Sequence, residues 1–380
     1  MGRFAAITLA ALGVIAGCAA PSSTAPRSTP VAKASEPPRP AAVAEPAATV
    51  AAAPATPSPI RSVQEWDQGG GPGVLVRTER YNLRLAVKDP VFRDRLPAYM
   101  EACSDAYARA IGPLPVPSEP MDLYVFASRG PWEAWTRRTL GRDADLYLGL
   151  GRGGFTTDGT SVLYDIGRVD TLTIMAHEGW HQFSQKSLKE PLPTWLEEGL
   201  ACWMEGTRMN RDGQPTAFRP WRNFERWNEA RNAVTGERTL TLRELLETSP
   251  QACLEEGKDE LLTYYAQTWA LVHFLHDAEN GRYRDGLQAM VRDAAEGKFI
   301  ERLQASRFAG EGGVARRAAR SRTGPLALRE YVEPNLDRLE VQYDQFLRDI
   351  TRRGAGDRIF KGESPLTAPA GTAPATPPAK

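Results

Sequence analysis

The chain has 380 residues, with 47 Lys plus Arg against 47 Asp plus Glu and an apolar fraction of 42%. Zero formal net charge gives no basic excess, which excludes the electrostatic footprint of a nucleic-acid-binding protein. The length accommodates one large domain or two packed lobes.

The amino terminus reads as a targeting segment. Arg3 supplies a positive charge, and the small apolar run from Ala5 to Gly17 is too short to span a bilayer. It ends in Ile15-Ala16-Gly17-Cys18, which resembles the lipobox of bacterial lipoproteins. The resemblance implies removal of residues 1–17 and a lipid anchor on Cys18. Without an Asp just after the Cys, it implies the outer membrane of a bacterial cell envelope, facing the periplasm or the surface. Residues 18–60 are rich in Ala, Pro, Ser and Thr and cannot bury enough apolar surface to order themselves, so they read as a disordered tether. Residues 356–380 read as a disordered tail of the same kind. Three cysteines remain in the body, Cys103, Cys202 and Cys253, without CxxC spacing, so at most one disulfide can form.

The body divides by pattern. In 73–87 the alternation of Tyr81, Leu83, Leu85 and Val87 predicts strands. A helix follows over 89–112, with a break at Pro97, then a strand over 121–128 and a helix in PWEAWTRRTLG. GGFTTDGTSVLYDIG, residues 153–167, predicts a hairpin turning at Asp158-Gly159. From Asp170 the helical period dominates: 170–187, 194–205, 222–233, 240–247, 259–277 and 280–295. The expected fold is therefore α+β, with a β-rich lobe over 61–168 and a helical lobe over 169–355.

The chemistry concentrates in LTIMAHEGWHQFSQ, residues 172–185. The chain has only four histidines, and two of them, His177 and His181, stand four residues apart. On a helix that spacing puts both imidazoles on one face, where both can reach a metal. Glu178 lies about 100° further round, a position suited to a base beside a metal-held water. Met175, Gly179 and Phe183 occupy the other side as core contacts. Zinc requires a third protein ligand and one open position. A further His on the same helix is absent, since Ser184 and Ser187 stand where a metzincin would carry Gly and His.

A second pattern follows in PTWLEEGLACWME, residues 193–205. His177-Glu178-x-x-His181 with Trp195-x-x-Glu198-Gly199-x-Ala201 resembles the gluzincin metallopeptidases. Within them it resembles a bacterial group of gluzincin-like domains distantly related to aminopeptidase N. The resemblance implies one Zn2+ held by His177, His181 and Glu198. Glu178 would be the general base, and peptide or protein the substrate. Tyr265 in Tyr265-Ala266-Gln267-Thr268 aligns with the oxyanion-donating Tyr of such enzymes, though Gln267 and Thr268 depart from their Tyr-x-Lys-Gly. Glu205, two turns beyond Glu198, is a candidate acceptor for a ligand His. Glu197 reads as a surface charge, Cys202 as a small core residue, and His273 and His276 as structural or surface residues. The Glu that binds a free substrate amine in aminopeptidase N relatives has no counterpart in 149–167. That departure points to an endopeptidase, with the strand TSVLYDI offering an edge for an extended substrate. The alternative reading is a binding or envelope-organising lipoprotein that keeps the fold without turnover.

Overall fold

The period-2 residues decide which faces of the sheet are buried. In the computed structural model, residues 8–11, 59–67, 72–149, 153–310 and 324–366 are described. The strands are β1 (Thr8–Ala11), β2 (Ser62–Trp66), β3 (Gly73–Arg77), β4 (Tyr81–Leu85), β5 (Met121–Phe126), β6 (Gly153–Thr157) and β7 (Thr160–Tyr164). They form one mixed sheet in the order β1-β6-β7-β5-β4-β3-β2, with β4, β5 and β7 parallel to one another. Tyr81, Leu83 and Leu85 are fully buried on one face, beside Met121, Leu123, Val125 and Leu163. The opposite face carries Phe126, Phe155, Val162 and Tyr164 against Trp132 and Trp135 of α3 (Arg129–Leu140) and Tyr147 of α4 (Ala144–Leu148).

The hairpin forms as expected. Asp158 and Gly159 both adopt positive φ, 49° and 68°, as the type I′ turn between two-residue-linked strands requires. The expected helix over 89–112 is two helices, α1 (Pro90–Arg93) and α2 (Leu96–Arg109). The interruption falls at Asp94–Arg95, because a Pro is accommodated in a helix's first turn and Pro97 takes that place in α2.

A correction concerns the sheet edge. TSVLYDI is not an edge: β7 lies between β6 and β5 and is paired on both sides. The outer member of the hairpin is β6, whose free side pairs antiparallel with β1, Thr8 opposite Thr156 and Ala11 opposite Gly153. Strand order depends on contacts across the whole chain, so local alternation does not reveal it.

The second half is helical, so the fold is α+β. It comprises α5 (Arg168–Ser187), α6 (Thr194–Met204), α7 (Phe224–Thr235), α8 (Leu242–Glu247), α9 (Pro250–Glu256), α10 (Lys258–Asp277), α11 (Arg284–Glu296) and α12 (Phe299–Ala305). After these come α13 (Leu326–Tyr331), α14 (Leu336–Thr351) and α15 (Ala355–Lys361). The last of these corrects the expected disordered tail from 356. Ile359 is fully buried, and Gly356 lets the helix lie against Trp227, where an added Cβ would come within 2.6 Å of the ring. A single apolar cluster runs from the sheet through α2, α5, α6 and α10 to α15. No helix among the described residues is long and apolar enough to cross a membrane. Residues 1–7 and 12–17 of the expected leader, Cys18 and its tether up to 58, and 367–380 lie outside the described residues.

Candidate metal centre

Three helices build the site. α5 is held by the layers on both of its sides: Tyr99 and Tyr107 of α2 donate their hydroxyls to the carbonyls of Leu172 and Ala176 at 2.8 and 2.7 Å. Gln182 donates to the carbonyls of Asp122 and Gly159 at 2.6 and 2.9 Å, tying the helix to β5 and to the hairpin turn. Gly179 permits the α2 contact, since a Cβ there would stand 2.5 Å from the Tyr107 hydroxyl. Gly199 does the same for α6 on α10, where a Cβ would stand 2.6 Å from the Thr268 carbonyl. Met175 and Phe183 are fully buried on the core side of α5, as the sequence pattern implied.

On the other side of that helix, His177, His181 and Glu198 converge, all at most 1% exposed. The Glu198 Oε2 lies 3.5 Å from His177 Nε2 and 3.6 Å from His181 Nε2. None of these three atoms has a hydrogen-bond partner. Buried polar atoms left unpaired are costly, so three of them aimed at one point need a common partner. Ligands at about 2.0–2.2 Å from a tetrahedral ion stand roughly 3.4 Å apart. The observed spacings match. The three buried side chains could hold a metal ion.

The outer nitrogens of both imidazoles are committed elsewhere, which fixes the rings. His177 Nδ1 lies 2.8 Å from Glu205 Oε1, so Glu205 is the acceptor that the sequence suggested. Glu205 is itself held by Arg226, through Nη2 at 2.8 Å and Nε at 3.3 Å, and by Asn223 Nδ2 at 2.6 Å. His181 Nδ1 lies 2.9 Å from Glu197 Oε1, which also accepts from the Ser184 hydroxyl at 2.5 Å. Glu197 is therefore no surface charge. Its neighbour Glu198 points inward and Glu197 reaches back along the helix crossing, a role that appears only once α6 packs on α5. Carboxylates behind ligand histidines set the tautomer and raise ligand basicity.

Glu178 is fully buried. Its Oε2 accepts from the Thr156 hydroxyl at 2.7 Å, while Oε1 has no partner. Ser161 donates to the Glu178 backbone carbonyl at 3.1 Å, and the Thr156 oxygen lies 3.0 Å from the same carbonyl. The hairpin thus contributes hydroxyls to the site, which its sequence gave no sign of.

The electrostatics are those of a cation site. In the metal-free chain, burial opposes charge on His181, but Glu198 and Glu197 outweigh it and bring its pKa up to about 9. His177 is likewise raised, burial being overcome by the neighbouring Cys202, Glu198 and Glu205. Burial alone would raise Glu205, but Arg226 and His177 hold it down at about 2. Burial pushes Glu178 above the usual carboxylate range, offset in part by His181 and His177. Glu198 stays depressed, because the two imidazoles overcome its burial.

Tyr265 from α10 packs edge-on against His177, ring centroids 5.9 Å apart, and its buried hydroxyl has no partner. Burial and the nearby Glu198 raise its phenol, so it stays protonated and able to donate. Tyr264 is also buried with an unpaired hydroxyl, but its ring meets Tyr265 edge to face, centroids 5.9 Å apart. Cys202 Sγ lies 4.0 Å from His177 Nδ1, and His177, Cys202 and Glu205 form a second group of possible ligands. That group uses the imidazole nitrogen already taken by Glu205, whose oxygens are engaged by Arg226 and Asn223, and burial raises the Cys202 thiol. It is a hydrogen-bonded support for His177. All three described cysteines are free and buried. His273 is stacked 3.6 Å from Trp221 with Nδ1 on Asp277, a core residue outside the ligand group. Asp165 accepts from the Gly167 amide and the Thr171 hydroxyl at the start of α5. Compared with protein-family models and with curated proteins, the chain matches none.

Proposed function

We propose that this chain is a zinc metallopeptidase of gluzincin type, anchored to the bacterial envelope through lipid on Cys18. The observation that carries the reading is the convergence of three unpaired buried ligand atoms, with the Glu198 oxygen 3.5 and 3.6 Å from the two imidazole nitrogens, and an unpaired Oε1 on the adjacent Glu178. Three protein ligands leave one position open, the arrangement of a catalytic rather than a structural zinc. His177, His181 and Glu198 would hold the ion, and zinc when bound supplies Lewis acidity that makes water nucleophilic near neutral pH.

The remaining steps belong to the chain's own residues. Glu178 accepts the proton of the attacking water at Oε1, while Thr156 fixes the other oxygen. The hydroxide adds to the amide carbon, and the Tyr265 hydroxyl donates to the oxyanion that develops. Glu178 then passes its proton to the amide nitrogen as the carbon–nitrogen bond breaks, which releases an amine and a carboxylic acid.

Endopeptidase action is supported by two features. Of the two acidic residues in the hairpin, Asp158 is taken up in the exposed turn and Asp165 is engaged in starting α5, so neither is built to receive a substrate ammonium. β6, which carries Thr156, accepts a further antiparallel strand along its outer side, where residues 8–11 now pair. A substrate added there would be read through its backbone. The test compares an internally quenched peptide blocked at both ends with a free-amine aminoacyl amide. Cleavage of the blocked peptide, absent in Glu178→Gln, is expected; cleavage of the free-amine substrate alone would refute the endopeptidase reading.

A further inference from the structure

On a chain of zero net charge, one surface collects cations and aromatic rings together. Phe224, at the start of α7, is 45% exposed, and Phe360, near the end of α15, is 70% exposed. They are the two phenylalanines among the exposed large apolar side chains of the described residues. Their rings meet edge to face with centroids 6.3 Å apart, and Phe224 rests on the buried Trp227 at 5.1 Å. The pair is thus held up from a rigid base. Arg219 donates to the Lys361 carbonyl at 3.1 Å, and Gly362 lies between the stems of Arg219 and Arg222. No carboxylate among the described residues comes within ion-pair distance of Arg219, Arg222 or Lys361, and the nearby Glu363 is paired with Arg358. Partial burial lowers the pKa of Arg222, and the charges of Arg208 and Arg219 lower it further.

Unneutralised cations call for an anionic surface, and two projecting rings call for hydrocarbon beside it. We infer that the face formed by Arg219, Arg222, Phe224, Phe360 and Lys361 docks on the surface of an anionic phospholipid bilayer. The rings enter the boundary between headgroups and acyl chains while the cations meet the lipid phosphates. A soluble polyanion would satisfy the charges and leave both rings in water. The surface is independent of the metal centre and of any anchor at Cys18. Each cation near an anionic leaflet strengthens partitioning about fivefold, so three together give about a hundredfold.

The test is hydrogen exchange on the full chain, read at residues 219–227 and 356–362, with vesicles of phosphatidylglycerol and phosphatidylcholine or of phosphatidylcholine alone. Protection by the anionic vesicles only is expected. It should be lost in Phe224→Ser/Phe360→Ser and in Arg222→Glu/Lys361→Glu, both keeping the wild-type unfolding midpoint. The local readout excludes binding through the apolar amino terminus. Two results would overturn the inference. One is an absence of protection with anionic vesicles. The other is equal protection by heparin that survives the phenylalanine substitutions.

Discussion

Glu178 and Glu197 show how much position decides at the scale of a single carboxylate. Glu178 has one oxygen fixed by Thr156 and the other free, so it can exchange a proton without being needed to hold an ion. Glu178→Gln should therefore bind metal like the wild type and lose turnover by about 10²–10⁴-fold, read in the quenched-peptide assay. Glu197 touches the imidazole from behind. Glu197→Ala should keep metal but bind it about 10–100-fold more weakly, measured by chelator competition. Glu205 is paired with a guanidinium that is itself 1% exposed. Glu205→Ala leaves that charge buried and unpaired, so unfolding in denaturant should show a loss of about 3–5 kcal/mol. Metal affinity should also depend on pH with a definite sign. Both histidines hold protons above their ordinary range, His181 up to about 9, and a metal must displace them. Affinity should rise from pH 6 to pH 9 and fall as the medium is acidified. At this scale the sequence discloses His177, Glu178 and His181, because a four-residue spacing is local. Glu198, seventeen residues after His181, is legible only through its resemblance to a known pattern. Thr156, Arg226 and the true role of Glu197 are not legible, because each depends on how separate elements cross.

Among elements, the contact that matters most for the site is α6 on α10, with α6 also against α5. Gly199 allows the first, and the atom opposite is a backbone carbonyl that cannot swing aside. Gly199→Ala should push α6 outward, cost about 1–3 kcal/mol of stability and weaken metal binding, since Glu198 rides on the displaced helix. Gly130, with nothing near its position, is the control, and Gly130→Ala should leave metal affinity unchanged. Calorimetry and metal titration of the pair check the difference. Element types follow from the sequence wherever periodicity runs long, as in α5 and α10, or where turn chemistry is specific, as at Asp158-Gly159. Short elements escape: β2 has mostly exposed residues, and α9 has only seven residues. The strand order escapes too, so β7 reads locally as an edge although β6 lies outside it.

For the whole molecule, the sheet and the helices share one apolar cluster, so the ligand residues are set in a continuous core rather than at a flexible junction. The site residues and the apolar cluster around them all lie beyond residue 59. A chain beginning near Arg61 should therefore fold, stay in solution and keep wild-type metal affinity, losing only the strand at the edge of β6; aggregation or loss of metal binding would give the amino-terminal residues a structural role. The claim on which the rest depends is that His177, His181 and Glu198 together bind one ion. Metal analysis of purified wild-type protein and of Glu198→Ala tests it most directly. One equivalent of zinc per wild-type chain, and a small fraction of that in Glu198→Ala, is the expected result; full zinc occupancy in Glu198→Ala, or none in the wild type, would contradict it.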